Sequence, residues 1–395
     1  MAFLKINGFH TATSGRTQGI GDFLRDVDAA GVPFFAYCAD GTTSLVDAQA
    51  IMRQSTVPHN AVFRRTNFPH TQDGSSVPDY TEAPEVAARK QWVSHRERWP
   101  KELDPILIYG ETINELRKEV KWADWIGHFC YHTGLLALQN GFKWCGPSYS
   151  SGTPDEGSWE TPGMLKFLDL CQQHPKRLAI ALHEYSLTTE DIFDGDGFLI
   201  GRFRQLIDVC ENHKIQTPDI FITEWGWAER NIPKVKKAMQ DILTVGKLYA
   251  QYPAIKGAAI WALDAGWDSL DQQTYRLMKP LKKLLVDTRF PDPISNPPPE
   301  EEIPPPDPGD PRKQYAREYL VLPPGASLEQ WLTVCRQAFD QKQTVGFSYD
   351  DAGVGDLARK TAILYDIPRE KWPEYMDWYV EHYPHTNVTF RDIPG

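Results

Sequence analysis

The sequence predicts an α/β chain built as a (β/α)₈ barrel, followed by a linker and a small α+β unit. Three observations carry this reading. Eight short apolar runs alternate with longer stretches of helical period between residue 1 and about residue 289. Those runs are apolar on successive positions, as strands covered on both faces must be. A segment holding ten prolines in 21 residues, 291–311, then ends the alternation. An open doubly wound sheet is the competing architecture. No glycine-rich phosphate loop follows the first run, which counts against it.

The strand candidates, in order, are Leu4–His10, Pro33–Ala39, Ala61–Thr66, Pro105–Tyr109, Phe142–Gly146, Leu178–His183, Asp219–Thr223 and Gly257–Leu263. β-Branched and aromatic residues dominate them. Amphipathic stretches lie between: Ile20–Ala30, closed by Gly31 as a C′ residue, then Pro84–Trp99, Trp122–Asn140, Leu199–His213 and Ile232–Tyr252. Thr161-Pro162 opens another, with an N-cap and a proline at the first helical position.

The proline-rich segment, with its flank 290–311, cannot form a helix or a ladder and reads as an extended, semi-rigid spacer. Residues 312–395 read as a small accessory domain. Tyr319–Leu322 is a strand. Ser327-Leu-Glu-Gln330 is a capping box opening a helix through about Lys342. Thr344–Tyr349 and Thr361–Tyr365 are strands, a helix lies near Trp372–Tyr383, and Asn387–Arg391 is the last strand. Trp372, Tyr375 and Tyr379 recur at helical spacing and read as a core face.

Charge narrows the partners. The net charge is −11, but residues 290–311 carry six acids and no base, and residues 312–395 hold 10 Lys+Arg against 12 Asp+Glu. The first 289 residues are therefore nearly neutral. Without a basic face, a nucleic-acid partner is not expected. No run of about 18 apolar residues suggests a membrane span. Aromatic content is 12%, with 13 Trp, which suits a sugar-binding cleft as well as a large core. The six cysteines form no CxxC pair, so reduced thiols are expected and no metal or cofactor set is. Met1–His10 lacks a basic, long-apolar leader and reads as a first strand. The expected setting is a cytoplasmic protein or one released without a signal, a phage or viral protein included.

In (β/α)₈ enzymes the working residues project from the C-terminal ends of the strands. Here those ends carry His10, Asp40, Asn67, then Glu111, Asn114 and Glu115, then Ser148, Tyr149 and Ser150. His183, Glu184 and Tyr185 follow the sixth run, Glu224, Trp225 and Trp227 the seventh, and Trp261 and Asp264 the eighth. Glu115 and Glu224 form a pair suited to a glycosidic bond, one carboxyl to protonate the leaving oxygen and one ionised to attack the anomeric carbon.

Four elements in order resemble clan A of the glycoside hydrolases across residues 1–289: Asn114-Glu115 after the fourth strand, His183-x-Tyr185 after the sixth, Thr223-Glu224-Trp225-Gly226 after the seventh, and Trp261 after the eighth. The resemblance implies a retaining glycosidase with Glu115 as acid/base and Glu224 as nucleophile. It also implies an oligo- or polysaccharide substrate. Asn114, His183, Tyr185, Trp261, Trp225, Trp227, Glu111, His10, Asp40 and Tyr149 are the candidate substrate-binding residues.

Other readings stay open at this level. Glu115 could be an N-terminal acid on the following helix. Glu184 points outward if His183 and Tyr185 point inward. Trp225 and Trp227 could line the cleft or cover the barrel top. Either Arg64 or Arg65 could pair with a carboxylate. The barrel could bind sugar without cleaving it, or be a cell-wall-directed lytic glycosidase with residues 312–395 as the targeting unit, which would bind glycan, cell wall or another protein. The sugar and linkage would depend on the loops Phe68–Pro84 and Ser148–Thr161.

Overall fold

The structure is a computed structural model. It describes residues 2–66, 77–195, 197–227, 231–266, 270–291, 318–323, 325–341, 343–349, 352, 360–383 and 386–393. Asn67, part of the Phe68–Pro84 loop and nearly all of the proline-rich spacer lie outside the described residues. The chain divides into two compact units, residues 1–296 and 297–395.

In the first unit the strands are β1 (Ile6–Thr11), β2 (Phe35–Ala39), β3 (Asn60–Arg64), β4 (Tyr109–Glu111), β5 (Lys143–Tyr149), β6 (Leu178–Tyr185), β7 (Ile220–Gly226) and β8 (Ile255–Leu263). They pair in that order, in parallel, and β8 closes on β1. Helices α1 (Ile20–Ala29), α2 (Thr43–Met52), α3 (Pro84–Glu97), α4 (Val120–Gln139), α5 (Pro162–Gln173), α6 (Phe203–Asn212) and α7 (Val235–Ala250) fall between strands. Two more, α8 (Leu270–Tyr275) and α9 (Met278–Asp287), follow β8. The (β/α)₈ barrel expected from the sequence is the fold.

Alternation explains where each side chain goes. One set of strand residues, including Phe35, Tyr37, Val62, Tyr109, Phe221 and the small Ala179, Ala181 and Ala259, fills the barrel interior. Large and small side chains interdigitate there, so the interior is a packed core rather than a pore. The other set faces the helices and joins a second, larger core. Two glycines permit close approach of backbones. A Cβ on Gly127 of α4 would meet the backbone of Gly163 at 2.1 Å, and one on Gly163 of α5 would meet the Asp124 carbonyl oxygen at 2.2 Å.

The fourth strand departs from its expected place. Pro105–Ile108 forms a turn, with the Ile108 and Leu107 N–H groups donating to the Asp104 carbonyl at 2.9 and 3.0 Å. Ile106 is 62% exposed, so the apolar run does not mark the strand. Pairing begins at Tyr109, opposite Val62 and Lys143, and ends at Glu111. Strands β5, β6 and β7 run two or three residues beyond their expected ends, so Tyr149, Tyr185 and Glu224 are strand residues. Thr161 precedes α5, but its hydroxyl donates to the Ser158 carbonyl at 3.0 Å and makes no cap bond into the helix.

The second unit is a four-stranded sheet ordered β10-β9-β11-β12, with every pair parallel. Its strands are β9 (Glu318–Val321), β10 (Thr344–Gly346), β11 (Lys360–Tyr365) and β12 (Thr386–Arg391). Helix α10 (Leu328–Gln341) links β9 to β10, and α11 (Trp372–His382) links β11 to β12. The capping box forms as the sequence predicts. The Ser327 N–H donates to Gln330 Oε1 at 2.8 Å, and the Gln330 N–H donates to Ser327 Oγ at 3.2 Å. Separate apolar clusters form around Leu320, Val334 and Ile363 and around Val321, Leu364 and Tyr379. No helix among the described residues is long and apolar enough to cross a membrane. All six cysteines are free thiols.

Candidate active site

Glu224 stands near the end of β7 and is nearly buried. Both of its oxygens are engaged. Arg64 Nη1, from the end of β3, donates to Oε1 at 2.8 Å, and the Tyr185 hydroxyl, from β6, donates to Oε2 at 2.6 Å. His10 Nε2 lies 3.7 Å from Oε1, and His183 Nδ1 lies 3.7 Å from Oε2. Burial alone would raise the pKa of this carboxyl. The charges of His183 and Arg64 and the Tyr185 bond outweigh it and hold the group well below the usual carboxylate range. These neighbours favour the ionised form of Glu224.

Glu115 is held differently. It sits four residues beyond β4 with φ of 48°, a left-handed conformation that a non-glycine residue adopts only under constraint. Its N–H donates to the Ser148 carbonyl at 2.8 Å. Its side chain is 48% exposed to the cleft, and its Oε1 lies 3.2 Å from His183 Nδ1. One nitrogen thus faces both carboxylates. A carboxylate oxygen of Glu115, one of Glu224 and a ring nitrogen of His183 all lie within 4.8 Å of one another. Arg64 and Tyr185 already take both oxygens of Glu224, so this trio is a poor cation site. Glu115 also lies five residues before α4 begins, too far for an acid of that helix's first turn.

The two imidazoles beside Glu224 differ. Burial lowers His183's affinity for a proton, but Glu224 and Glu115 reverse this, and its pKa is raised. Burial dominates at His10, whose pKa is pushed down to about 3 despite Glu224, with Arg64 and His183 adding to the fall. His10 stacks on Tyr37 with centroids 4.4 Å apart. It is a neutral ring in the wall of the site.

A cleft of about 1140 Å³ opens over this group. His10, Asp40, Arg64, Asn114, Glu115, Tyr185, Glu224, Trp227 and Trp261 line it. The Asn114 amide oxygen accepts a bond from Arg64 Nη1. Trp261 stands edge-on to Tyr185 at 6.1 Å. Trp227 donates its indole N–H to Asp241 Oδ2 at 2.9 Å, which fixes the ring in the wall. Asp40 accepts the Thr66 N–H at 3.0 Å and its hydroxyl, and lies 3.4 Å from Arg65 Nη1.

Four expected substrate contacts, Glu111, Tyr149, Trp225 and His183, do not line the cleft. Glu111 is fully buried inside the barrel. Its carboxylate accepts the hydroxyls of Tyr37 at 2.5 Å, Ser148 at 2.6 Å and Thr223 at 3.1 Å. It ties β2, β5 and β7 to β4 beneath the site and does not line the cleft. Tyr149 is buried against Trp159, and Trp225 is buried against Trp227 with centroids 4.8 Å apart. Both face the helices, because strand residues alternate between faces. His183 is also shut off from the cleft and acts on the carboxylates. Glu184 points outward, where it accepts the N–H groups of Gly201 at 2.9 Å and Phe203 at 3.3 Å and the Tyr249 hydroxyl at 2.5 Å.

Arg64 and Tyr37 are the site residues that sequence reasoning left unassigned. Alternation carries the missing signal. Val62 points into the barrel, so Arg64, two residues on, does too, whereas Arg65 turns to the other face.

No protein-family model and no curated protein matches the chain. Among solved structures it is similar to N2152 from Neocallimastix frontalis, at 15% identity and a TM-score of 0.37, over 66% of this chain and 61% of that one. It is similar to an endo-1,4-β-D-mannanase from Thermotoga petrophila RKU-1, at 11% identity and a TM-score of 0.38, over 71% of this chain and 99% of that one. It is also similar to a family 5 xyloglucanase from Paenibacillus pabuli, at 10% identity and a TM-score of 0.40, over 72% and 99%. The chain spans less than two thirds of the first of these. Likeness at this level assigns neither a substrate nor any residue's role.

Proposed function

We propose that residues 1–289 are a retaining glycoside hydrolase acting on an oligo- or polysaccharide, with Glu224 as nucleophile and Glu115 as acid/base. The observation that carries this reading is the pair of facing carboxylates, one buried and held ionised, the other open to the cleft. Their oxygens approach within 4.8 Å. Inverting enzymes separate the two groups by about 6.5–9.5 Å to admit a water, whereas retaining enzymes need about 5–5.5 Å.

In the first step Glu224 attacks the anomeric carbon while Glu115 gives its proton to the departing glycosidic oxygen. A covalent glycosyl ester on Glu224 results. In the second step Glu115, now ionised, takes a proton from water. The hydroxide so formed attacks the anomeric carbon and releases Glu224. Arg64 and Tyr185 orient the nucleophile and stabilise it again as it leaves. With its oxygen bound to Arg64, Asn114 has its amide NH₂ left to donate to a sugar hydroxyl. Trp261 offers a flat apolar face to the ring's C–H groups. The cleft is larger than a single sugar requires, which favours a substrate of several residues.

A polysaccharide hydrolysis screen with product analysis tests the class, and proton NMR of the first-formed product tests the stereochemistry. The expected product keeps the anomeric configuration of the substrate, and Glu224→Gln loses turnover by orders of magnitude. An inverted product, or unchanged turnover in Glu224→Gln, overturns the assignment.

A further inference from the structure

The second unit holds a cavity of its own, about 380 Å³, lined by Ser348, Tyr349, Glu374, Tyr375 and Trp378. Three of these five described lining residues are aromatic. Tyr375 and Trp378 stand one turn apart on α11, and Tyr349 comes from the segment after β10. Tyr349 and Tyr375 lie with centroids 4.9 Å apart and planes inclined at 53°. Inclined rings enclose a volume and present no common flat face, so they suit a rounded ligand better than a sugar ring. Trp378 is braced from behind by His382, stacked at 4.7 Å, and by Tyr383 at 5.6 Å.

Charge selects among rounded ligands. Among the described lining residues the charged group is the exposed carboxylate of Glu374. Helix α11 also carries Asp377 and Glu381 and has no Lys or Arg between residues 372 and 382. Aromatic faces are electron-rich and attract cations, most strongly when the cation sheds its water easily. An ammonium bearing methyl groups is weakly hydrated and roughly spherical. It satisfies the rings and the acidic rim together.

We propose that this cavity is an aromatic cage for a quaternary ammonium group of the choline type, making residues 312–395 a recognition unit for such a group. The assignment is independent of the barrel's catalytic role. The cavity volume admits one such headgroup.

Isothermal titration of the full chain tests it with four probes: choline, phosphocholine, the uncharged isostere of choline in which carbon replaces nitrogen, and N-acetylglucosamine. Choline is expected to bind at least about tenfold more tightly than its isostere, the difference being the cation's attraction to the rings. Phosphocholine separates an esterified headgroup from the free alcohol, and the acidic rim is expected to weaken it. Glu374→Gln, an exposed and conservative change, should weaken choline by roughly three- to fivefold. Trp378→Leu should weaken it by about tenfold or more, with the thermal melt of each variant reporting that it folds. Equal binding of choline and isostere, preference for the sugar, or no binding of any probe overturns the proposal.

Discussion

Arg64 and Glu224 form a buried ion pair across the barrel mouth, Nη1 to Oε1 at 2.8 Å, linking the third strand to the seventh. Removing the cation leaves the carboxylate buried with the Tyr185 bond and the two imidazoles. Breaking such a pair costs about 3–5 kcal/mol when the remaining charge has no other partner. Because Tyr185 and His183 persist, Arg64→Leu should cost about 3 kcal/mol in urea unfolding. The acid limb of the pH–rate profile should also move upward, since Glu224 loses one of the charges that keep it ionised. A profile that stays in place would show that Arg64 does not hold the nucleophile.

The imidazoles flanking Glu224 should titrate in opposite directions. His183 has its folded pKa raised above 6.5 by the two carboxylates. Its contribution to stability is fully present below pH 6.5 and is lost as pH rises through the folded value. His10 has its folded pKa lowered to about 3. Between 6.5 and about 3 the unfolded chain takes up a proton that the folded chain refuses, so His10 costs stability as pH falls through that window. Long-range ¹H–¹⁵N spectra at pH 6 should show His183 protonated on both nitrogens and His10 neutral. Two neutral rings would contradict the charge assignment.

Glu184 supplies a third pH effect outside the cleft. Burial pushes its carboxyl up to about 7, against the bonds from Gly201, Tyr249 and Phe203. The folded chain keeps this proton between pH 4.5 and about 7 while the unfolded chain releases it. Stability therefore falls as pH rises across that window, by on the order of 3 kcal/mol. Glu184→Gln should flatten this slope. It should also be less stable than wild type at pH 5, because its NH₂ meets a backbone donor that the carboxyl accepts from. An unchanged slope in Tm against pH would rule out Glu184 as its source.

Glu115→Gln should separate the two chemical steps. Without the acid, turnover of a polysaccharide should fall by about 10²–10⁴-fold. Aryl glycosides with acidic leaving groups depart without a proton, so their first step should be nearly spared. Burst kinetics with such a substrate would show the accumulated intermediate. An equal loss on both substrates would remove Glu115 from the acid's role.

Gly127→Ala tests the packing of the α4–α5 pair. The added methyl would stand 2.1 Å from the Gly163 backbone, which cannot turn aside as a side chain could. The helices must separate, at about 1–3 kcal/mol, read as a lower Tm with turnover intact at low temperature. An unaltered Tm would mean that the helices are free to shift.

The fold was legible because eight apolar runs and their helical partners repeat locally. Where a run misled, at Pro105–Ile108, the cause was local too. Apolar composition does not distinguish a strand from a turn leading into one, and only pairing with Val62 and Lys143 set the start of β4 at Tyr109. That shift of register explains Glu111. Expected beyond the strand and in the cleft, it is instead the last residue of β4, inside the barrel and closed off by three hydroxyls.

By itself the sequence determined the barrel, the order of its strands and the set of residues at their C-terminal ends. Those follow from patterns of period two and 3.6 that each segment carries alone. Tertiary structure decided which of those residues meet. Arg64 rather than Arg65 reaches Glu224, His183 serves both carboxylates from behind the cleft, and Tyr149 and Trp225 turn away from it. Such outcomes depend on strand register and on contacts between residues as much as 160 positions apart, which no local pattern encodes. The pair Glu115 and Glu224 was visible as two letters. The difference between them, one buried and held ionised by its neighbours, the other open to the cleft, belongs to the closed barrel.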